Sequence, residues 1–257
     1  MINWSELTLF LYIVARMSGF VLFNPILGRN NIPGAYRAGV ILALSVSVAS
    51  ALVQKQTAVL PIGVLDLSIR ILMEMFLGLL LGMAMNFFFY IPQLVGSTID
   101  MQMGMTMNQI YDPGSQANLS VTGVLINTLM TMLFFAANGH HTMLRIMMTS
   151  GDVVGYGAVS LGDHVWSALL ELFITCTIMA IKLTLPILAA ELLGQVGMGI
   201  LMKVIPQINV FAINIELKVI IGLGLLLALL SPISEYLLDV EMEMLKSFEM
   251  ILGLAAG

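Results

Sequence analysis

Few side chains in this sequence are equipped for chemistry, and their spacing decides which kinds are open to them. His140 and His141 are adjacent. Neighbours on a helix point about 100° apart and hold one ion poorly, and no Cys, His, Asp or Glu stands at ligand spacing from the pair. Their expected place is a turn or helix cap after Asn138-Gly139. Serine chemistry has no support, for there is neither a Gly-x-Ser-x-Gly elbow nor a Ser-x-x-Lys pair. A glycine-rich phosphate loop is also missing. Intramembrane proteolysis would need paired aspartates inside helices. Asp66 and Asp100 are the only candidates, and nothing around them is distinctive. The single cysteine, Cys176, lies in an apolar run, excludes an intrachain disulfide and reads as a small hydrophobe. The chain is therefore expected to be no enzyme, with no cofactor and no metal.

One stretch remains unusual. Met101 to Ser120 reads MQMGMTMNQIYDPGSQANLS in the middle of an otherwise apolar chain. It places Met101, Met103, Met105 and Met107 at alternate positions and then the breaker cluster Asp112-Pro113-Gly114-Ser115. Pro and Gly break helices, yet the backbone polar groups still need partners. Irregular backbone at membrane depth survives only inside protein or along a water-filled path. The stretch is expected to line or block such a path. Two readings of its methionines stand side by side. With 21 methionines in the chain, plain core filling is one; a deformable collar around a path is the other.

The elements that must position these residues follow from composition. Of 257 residues 59% are hydrophobic and 10% charged, and mean hydropathy is +1.00. A soluble domain carries about 25% charged residues. The chain is therefore expected to be an integral membrane or membrane-assembly protein, all-α, with roughly six to eight helices. Apolar runs mark them: Leu7–Leu27, Ala38–Val53, Ile62–Ile91 stopped by Pro92, Gln93–Met107, Asn118–Ala137, a short helix near Thr142–Met148, Val165–Leu193, Gln195–Ile205 and Val210–Leu230. Gly151–Gly162 reads as a glycine-rich loop and Glu235–Leu254 as an amphipathic helix at an interface. The start of the chain lacks the basic region of a cleavable signal, so the first helix is expected to be retained.

Net charge is −5, with acids gathered at the end in Glu235, Asp239, Glu241, Glu243 and Glu249. No basic stripe suits nucleic acid. Basic loops that would orient a polytopic protein are scarce, with no Lys or Arg between Arg70 and Arg145. Instead Arg16, Lys182, Lys203 and Lys218 lie in or against apolar runs. A charge at the bilayer centre costs at least ~2.5 kcal/mol on insertion scales. Arg16, Glu74, Glu171, Lys182, Glu191, Lys203, Glu216 and Lys218 are accordingly read as buried charges or assembly contacts. Glu171 and Lys182 share a helix face three turns apart, either as a pair or with separate neighbours.

Several segments together resemble a known family. They are Phe23-Asn24-Pro25-Ile26-Leu27-Gly28-Arg29 with Ile32-Pro33, Glu74 through Gly82, Gln93-Leu94-Val95-Gly96 with Asp100 through Gly104, Asp112-Pro113, Asn138-Gly139-His140-His141, and Ile205-Pro206-Gln207-Ile208-Asn209-Val210-Phe211. In this order, across about 190 residues, they resemble the FliR family of flagellar type III secretion export-gate proteins and, more distantly, its injectisome counterparts. The Gly-His-His element leans flagellar. Asn138 departs from the Asp common there. The resemblance implies a non-enzymatic gate subunit that joins several copies of FliP and FliQ. That gate works with FlhB in the bacterial inner membrane, within the flagellar basal body, and passes unfolded export substrates. It also implies a FliP-like part over 1–165 and a FliQ-like helical hairpin with the tail over 166–257. A plug loop over 106–122 is implied too, centred on Tyr111, Asp112, Pro113, Gly114, Ser115 and Gln116. The rival expectation is a small-solute transporter with a polar midplane site at Pro206-Gln207-Ile208-Asn209, against which no internal repeat is visible.

Overall fold

The computed structural model describes residues 4–29, 31–52, 59–106, 109–112, 117–204 and 210–256. Among them the chain is all-α, with eight helices and one two-stranded hairpin. The helices are α1 (Trp4–Leu22), α2 (Gly34–Leu52), α3 (Val64–Met103), α4 (Val121–Ala136), α5 (Gly139–Val153), α6 (Asp163–Val204), α7 (Val210–Ala228) and α8 (Leu230–Ala255). Strands β1 (Gln109–Asp112) and β2 (Ala117–Ser120) pair antiparallel between α3 and α4.

Two expected breaks are absent. Pro92 was expected to stop a helix, and a second break was expected after Leu193. Instead α3 runs 40 residues through Pro92, and α6 runs 42 residues through Pro186. A proline deletes only one backbone donor, and neighbouring turns keep their own bonds, so a long apolar helix continues past it. Gly151 likewise lies inside α5, and the loop shortens to Val154–Gly162.

The chain divides into two compact units. One comprises Met1–Phe88, Asn138–Ile174 and Glu241–Gly257; the other comprises Phe89–Ala137 and Thr175–Val240. In the first unit, α1 and α3 meet backbone to backbone. A methyl group on Gly19 would overlap the Met75 carbonyl oxygen, and one on Gly78 would overlap the Arg16 carbonyl oxygen. Only glycine permits so close a crossing. Asn24 ends α1 by accepting the amide N–H of Ile26 at 2.8 Å and of Leu27 at 2.9 Å through its side-chain oxygen. This local turn explains the Asn-Pro after the first apolar run. The buried residues of α8 (Ile233, Leu237, Val240, Met244, Phe248, Ile251 and Ala255) repeat every three or four positions. That spacing makes one apolar stripe on a helix, and Phe248 meets Phe20 edge to face at 6.3 Å. The acids Glu235, Asp239 and Glu249 stay exposed.

Two helices among the described residues are long and apolar enough to cross a membrane, Trp4–Leu22 and Asp163–Leu201. The bent pairs α4 with α5 and α7 with α8 would each add one span if counted together.

Candidate functional site

In the second unit the hairpin emerges from a tightly built root. Helix α3 ends at Met103, and Gly104 takes a left-handed backbone with φ 76°. The Gly104 N–H donates to the Met101 carbonyl at 3.2 Å and the Met105 N–H to the Asp100 carbonyl at 2.8 Å. This pair of bonds is a Schellman helix end, which requires a glycine-like residue at that position. The strands then pair Gln109 with Ser120, Ile110 with Leu119, Tyr111 with Asn118 and Asp112 with Ala117. The returning strand runs straight into α4. Ser120 caps that helix, its hydroxyl accepting the Gly123 N–H at 3.0 Å.

The expected obstruction is thus a β-hairpin where its described residues are concerned. Tyr111 is 61% exposed. The backbone of Asp112 closes the ladder, while Pro113, Gly114, Ser115 and Gln116 lie outside the described residues. The methionines do not form one stripe. On a helix two residues apart means about 200° of rotation. Met101 is accordingly 62% exposed and Met103 fully buried. Gly222 leaves the room that Met103 fills: a methyl group there would press on its Cγ, Sδ and Cε atoms. Met105 is half-buried, and Met107 lies outside the described residues. So do Pro206, Gln207, Ile208 and Asn209, on which the transporter reading drew.

The first unit holds a buried charge knot. Arg16 and Glu74 are each 0% exposed and pair at 2.6 Å. Each nitrogen of the guanidinium has a partner: Nε donates to Glu74, Nη1 to the Ser150 hydroxyl at 3.0 Å, and Nη2 to the Val154 carbonyl at 3.1 Å. Its face stacks on the Tyr156 ring at 4.3 Å. The other Glu74 oxygen accepts the Gly157 N–H at 2.7 Å. Burial pushes the Tyr156 hydroxyl above its ordinary pKa, with Arg16 opposing. Gly157 has φ 81° and packs under the Tyr12 ring. Its carbonyl also accepts from Arg70, which pairs with Asp66 at 3.0 Å. That hydrogen bond holds the Asp66 carboxyl below its usual range.

Of the other charges, Glu191 is buried and its Oε1 has no hydrogen-bond partner among the described residues. Glu171, Lys182, Lys203 and Glu216 are exposed on the chain and Lys218 is half-buried. Glu171 and Lys182 lie eleven residues apart on α6, about 16 Å by helical rise, too far to pair. His140 and His141 begin α5 with rings 4.1 Å apart. They follow Asn138, whose backbone is left-handed at φ 59° and whose carbonyl accepts from His141 and Thr142. No group of three His, Cys, Asp or Glu able to hold a metal occurs among the described residues.

Residues 7–244 match the family model of the bacterial export proteins, family 1. The chain belongs to this family. It is similar to the flagellar biosynthetic protein FliR of Bacillus subtilis (strain 168), with 26% identity over 213 residues that cover 82% of this chain and 81% of that one. FliR of Escherichia coli (strain K12) is 24% identical over 213 residues, covering 83% and 80%. The Yop proteins translocation protein T of Yersinia pestis is 25% identical over 217 residues, covering 82% and 81%. The FliR resemblance read from the sequence is thus shown.

Sequence reasoning about this family-1 export protein passed over Ser150, Tyr156 and Gly157, which complete the Arg16–Glu74 knot from more than 80 positions away. Asp100 entered the sequence reading as a proteolysis candidate and as the first residue of the resembling segment Asp100 through Gly104, without a structural role. The side chain is 2% exposed, and its Oδ2 accepts the Thr122 N–H at 3.3 Å at the foot of the hairpin. Glu241, one of the acids of the amphipathic tail helix expected over Glu235–Leu254, is buried, with Oε1 unpartnered among the described residues.

Proposed function

We propose that this chain is a non-enzymatic subunit of the flagellar type III export gate. In this reading it joins FliP and FliQ, meets FlhB and lies in the bacterial inner membrane within the flagellar basal body. Unfolded flagellar proteins pass through the channel so formed. The segment between α3 and α4, centred on Tyr111 to Gln116, obstructs that channel until a substrate displaces it, and Met101 to Met107 flank the path. One observation carries this reading: a family-1 export match across residues 7–244 that contains, between α3 and α4, one hairpin among the described residues with Ile110 and Tyr111 exposed. Ile110 and Tyr111 are successive strand residues, so the hairpin presents an apolar side chain on each face, which fits a segment with neighbours on both sides. Exposed Leu and Ile side chains along α6 and α7, such as Leu193, Ile200, Ile220 and Leu227, fit a subunit finished by neighbours.

The test is deletion of Asp112–Ala117 in cells that express the whole export complex. Ion leakage should rise while the complex still assembles. Unchanged leakage together with unchanged export would remove the plug. Purification through a tag on this chain should bring down two small hydrophobic partners.

A further inference from the structure

A lone pair of strands is marginally stable in water, so strands β1 and β2 depend on what holds their two ends. Both ends meet at one residue. The Asp100 carbonyl accepts the Met105 N–H of the departing segment at 2.8 Å. Its side chain accepts the Thr122 N–H of the returning segment at 3.3 Å. Thr122 is in the first turn of α4, where backbone donors have no partner within the helix. Ser120 satisfies the donor of Gly123 and Asp100 that of Thr122. One turn earlier on α3 the two helices touch through backbone. A methyl group on Gly96 would overlap the Gly123 amide, and one on Gly123 would come within 3.0 Å of Gln93 Oε1. Gln93, Gly96 and Asp100 follow the i, i+3, i+7 spacing of a single helix face. The last turns of α3 and the first turn of α4 are therefore one pinned root.

We infer that Asp100 is the positioning residue of the hairpin. It ties the first turn of α4 to the end of α3, so the arm of strands β1 and β2 leaves and returns at fixed points. The other side-chain oxygen, Oδ1, is buried with no partner among the described residues. The tie is thus a single bond, and nothing else on that side chain replaces it. That the arm obstructs a channel rests on the proposed function; the pinned root does not.

A nitroxide at Ile110→Cys, in the assembled complex with Cys176→Ala, reads the arm directly. Asp100→Ala should raise the mobile fraction about tenfold, the equivalent of about 1.4 kcal/mol and the size of one hydrogen bond. Asp100→Asn keeps an acceptor for Thr122 and should stay near the unaltered complex. An unchanged mobile fraction in Asp100→Ala overturns the assignment, and so does an Asn variant as mobile as the Ala variant. Hydrogen exchange on the unaltered complex needs no variant to fold. The amides of Thr122 and Gly123 should exchange at least about tenfold more slowly than those of Ile110 and Leu119. Equal rates overturn the pinned root. Should the Asp112–Ala117 deletion fail to leak while Asp100→Ala still frees the nitroxide, the plug falls and the root stands. Leakage on deletion with no response to Asp100→Ala gives the reverse.

Discussion

The Arg16–Glu74 knot and the Asp100 root are both buried polar sites, and they are built to opposite standards. Around Arg16 and Glu74 each nitrogen of the guanidinium and each oxygen of the carboxylate has a partner, and an aromatic ring closes the face. Around Asp100 one side-chain oxygen holds a bond of 3.3 Å and the other holds none among the described residues. Buried charge is tolerated when every lone pair and proton is matched. A site held by several bonds resists change because any shift strands several groups together. A singly tied site yields when one bond is lost. The difference teaches how redundancy is distributed: the knot holds its loop through several bonds, and the root holds the hairpin's base through one side-chain bond.

The largest effect should come from breaking the knot. Arg16→Leu leaves Glu74 buried without its cation and should cost about 3–5 kcal/mol, read as a fall in the thermal midpoint of the purified complex. Replacing both by methionine removes the unpaired charge and should recover part of that loss, the remainder being the Gly157 N–H and the Val154 carbonyl left without these partners. If the double variant is as unstable as the single one, the matched pair is not what Arg16 supplies. Next comes the crossing that brings Arg16 to Glu74. Gly78→Ala puts a methyl group into the Arg16 carbonyl and should cost about 1–3 kcal/mol by overpacking, while Gly34→Ala, with open space around it, should cost none of that overpacking term. Equal effects at the two glycines would mean that the close approach is not needed.

Ser120→Ala sharpens the other side of the comparison. It removes the cap at the foot of the hairpin and should cost about 1 kcal/mol. The loss should appear as faster hydrogen exchange in the first turn of α4, with the knot unchanged. The smallest effect belongs to Asp66. Its folded pKa is depressed, so its contribution is present above the unfolded value of about 4 and is lost as pH falls through the folded one. Asp66→Asn should therefore lower stability slightly at pH 7, leave it unchanged in strong acid, and so flatten its decline in acid. A steep remaining acid loss would assign that loss to other carboxyl groups.

The helices were legible because apolar runs of about 20 residues leave few alternatives. Their continuity was not. Pro92 carries a local stop signal, and only the surrounding apolar helix overrides it. The run Gln93–Met107 was expected to end at the breaker cluster, but the helix already ends at Met103, where Gly104 turns the backbone left-handed. The ladder of Gln109–Asp112 with Ala117–Ser120 was not visible, since pairing depends on both strands and on a root built by Asp100 and Gly104. Arg16 announced itself as a charge in an apolar run, but its partner lies 58 residues away and Ser150 lies 134 away. Nothing local in a sequence records that distance. Alternate methionines left core filling and a collar side by side; Met101 and Met103 are in a helix, and the two-residue spacing sends them to opposite sides.

The loop after α5 is gripped by its main chain. Arg16 takes the Val154 carbonyl, Glu74 the Gly157 amide and Arg70 the Gly157 carbonyl. Val59 donates its amide to the Tyr156 carbonyl in the same way. A grip of this kind does not read side chains. Over evolutionary time, residues such as Ala158 and Val159 are free to drift while the loop keeps its course. Gly157 is barred from drifting by its positive φ and Tyr156 by its ring. Selection here acts on the course of a backbone, and two letters carry it.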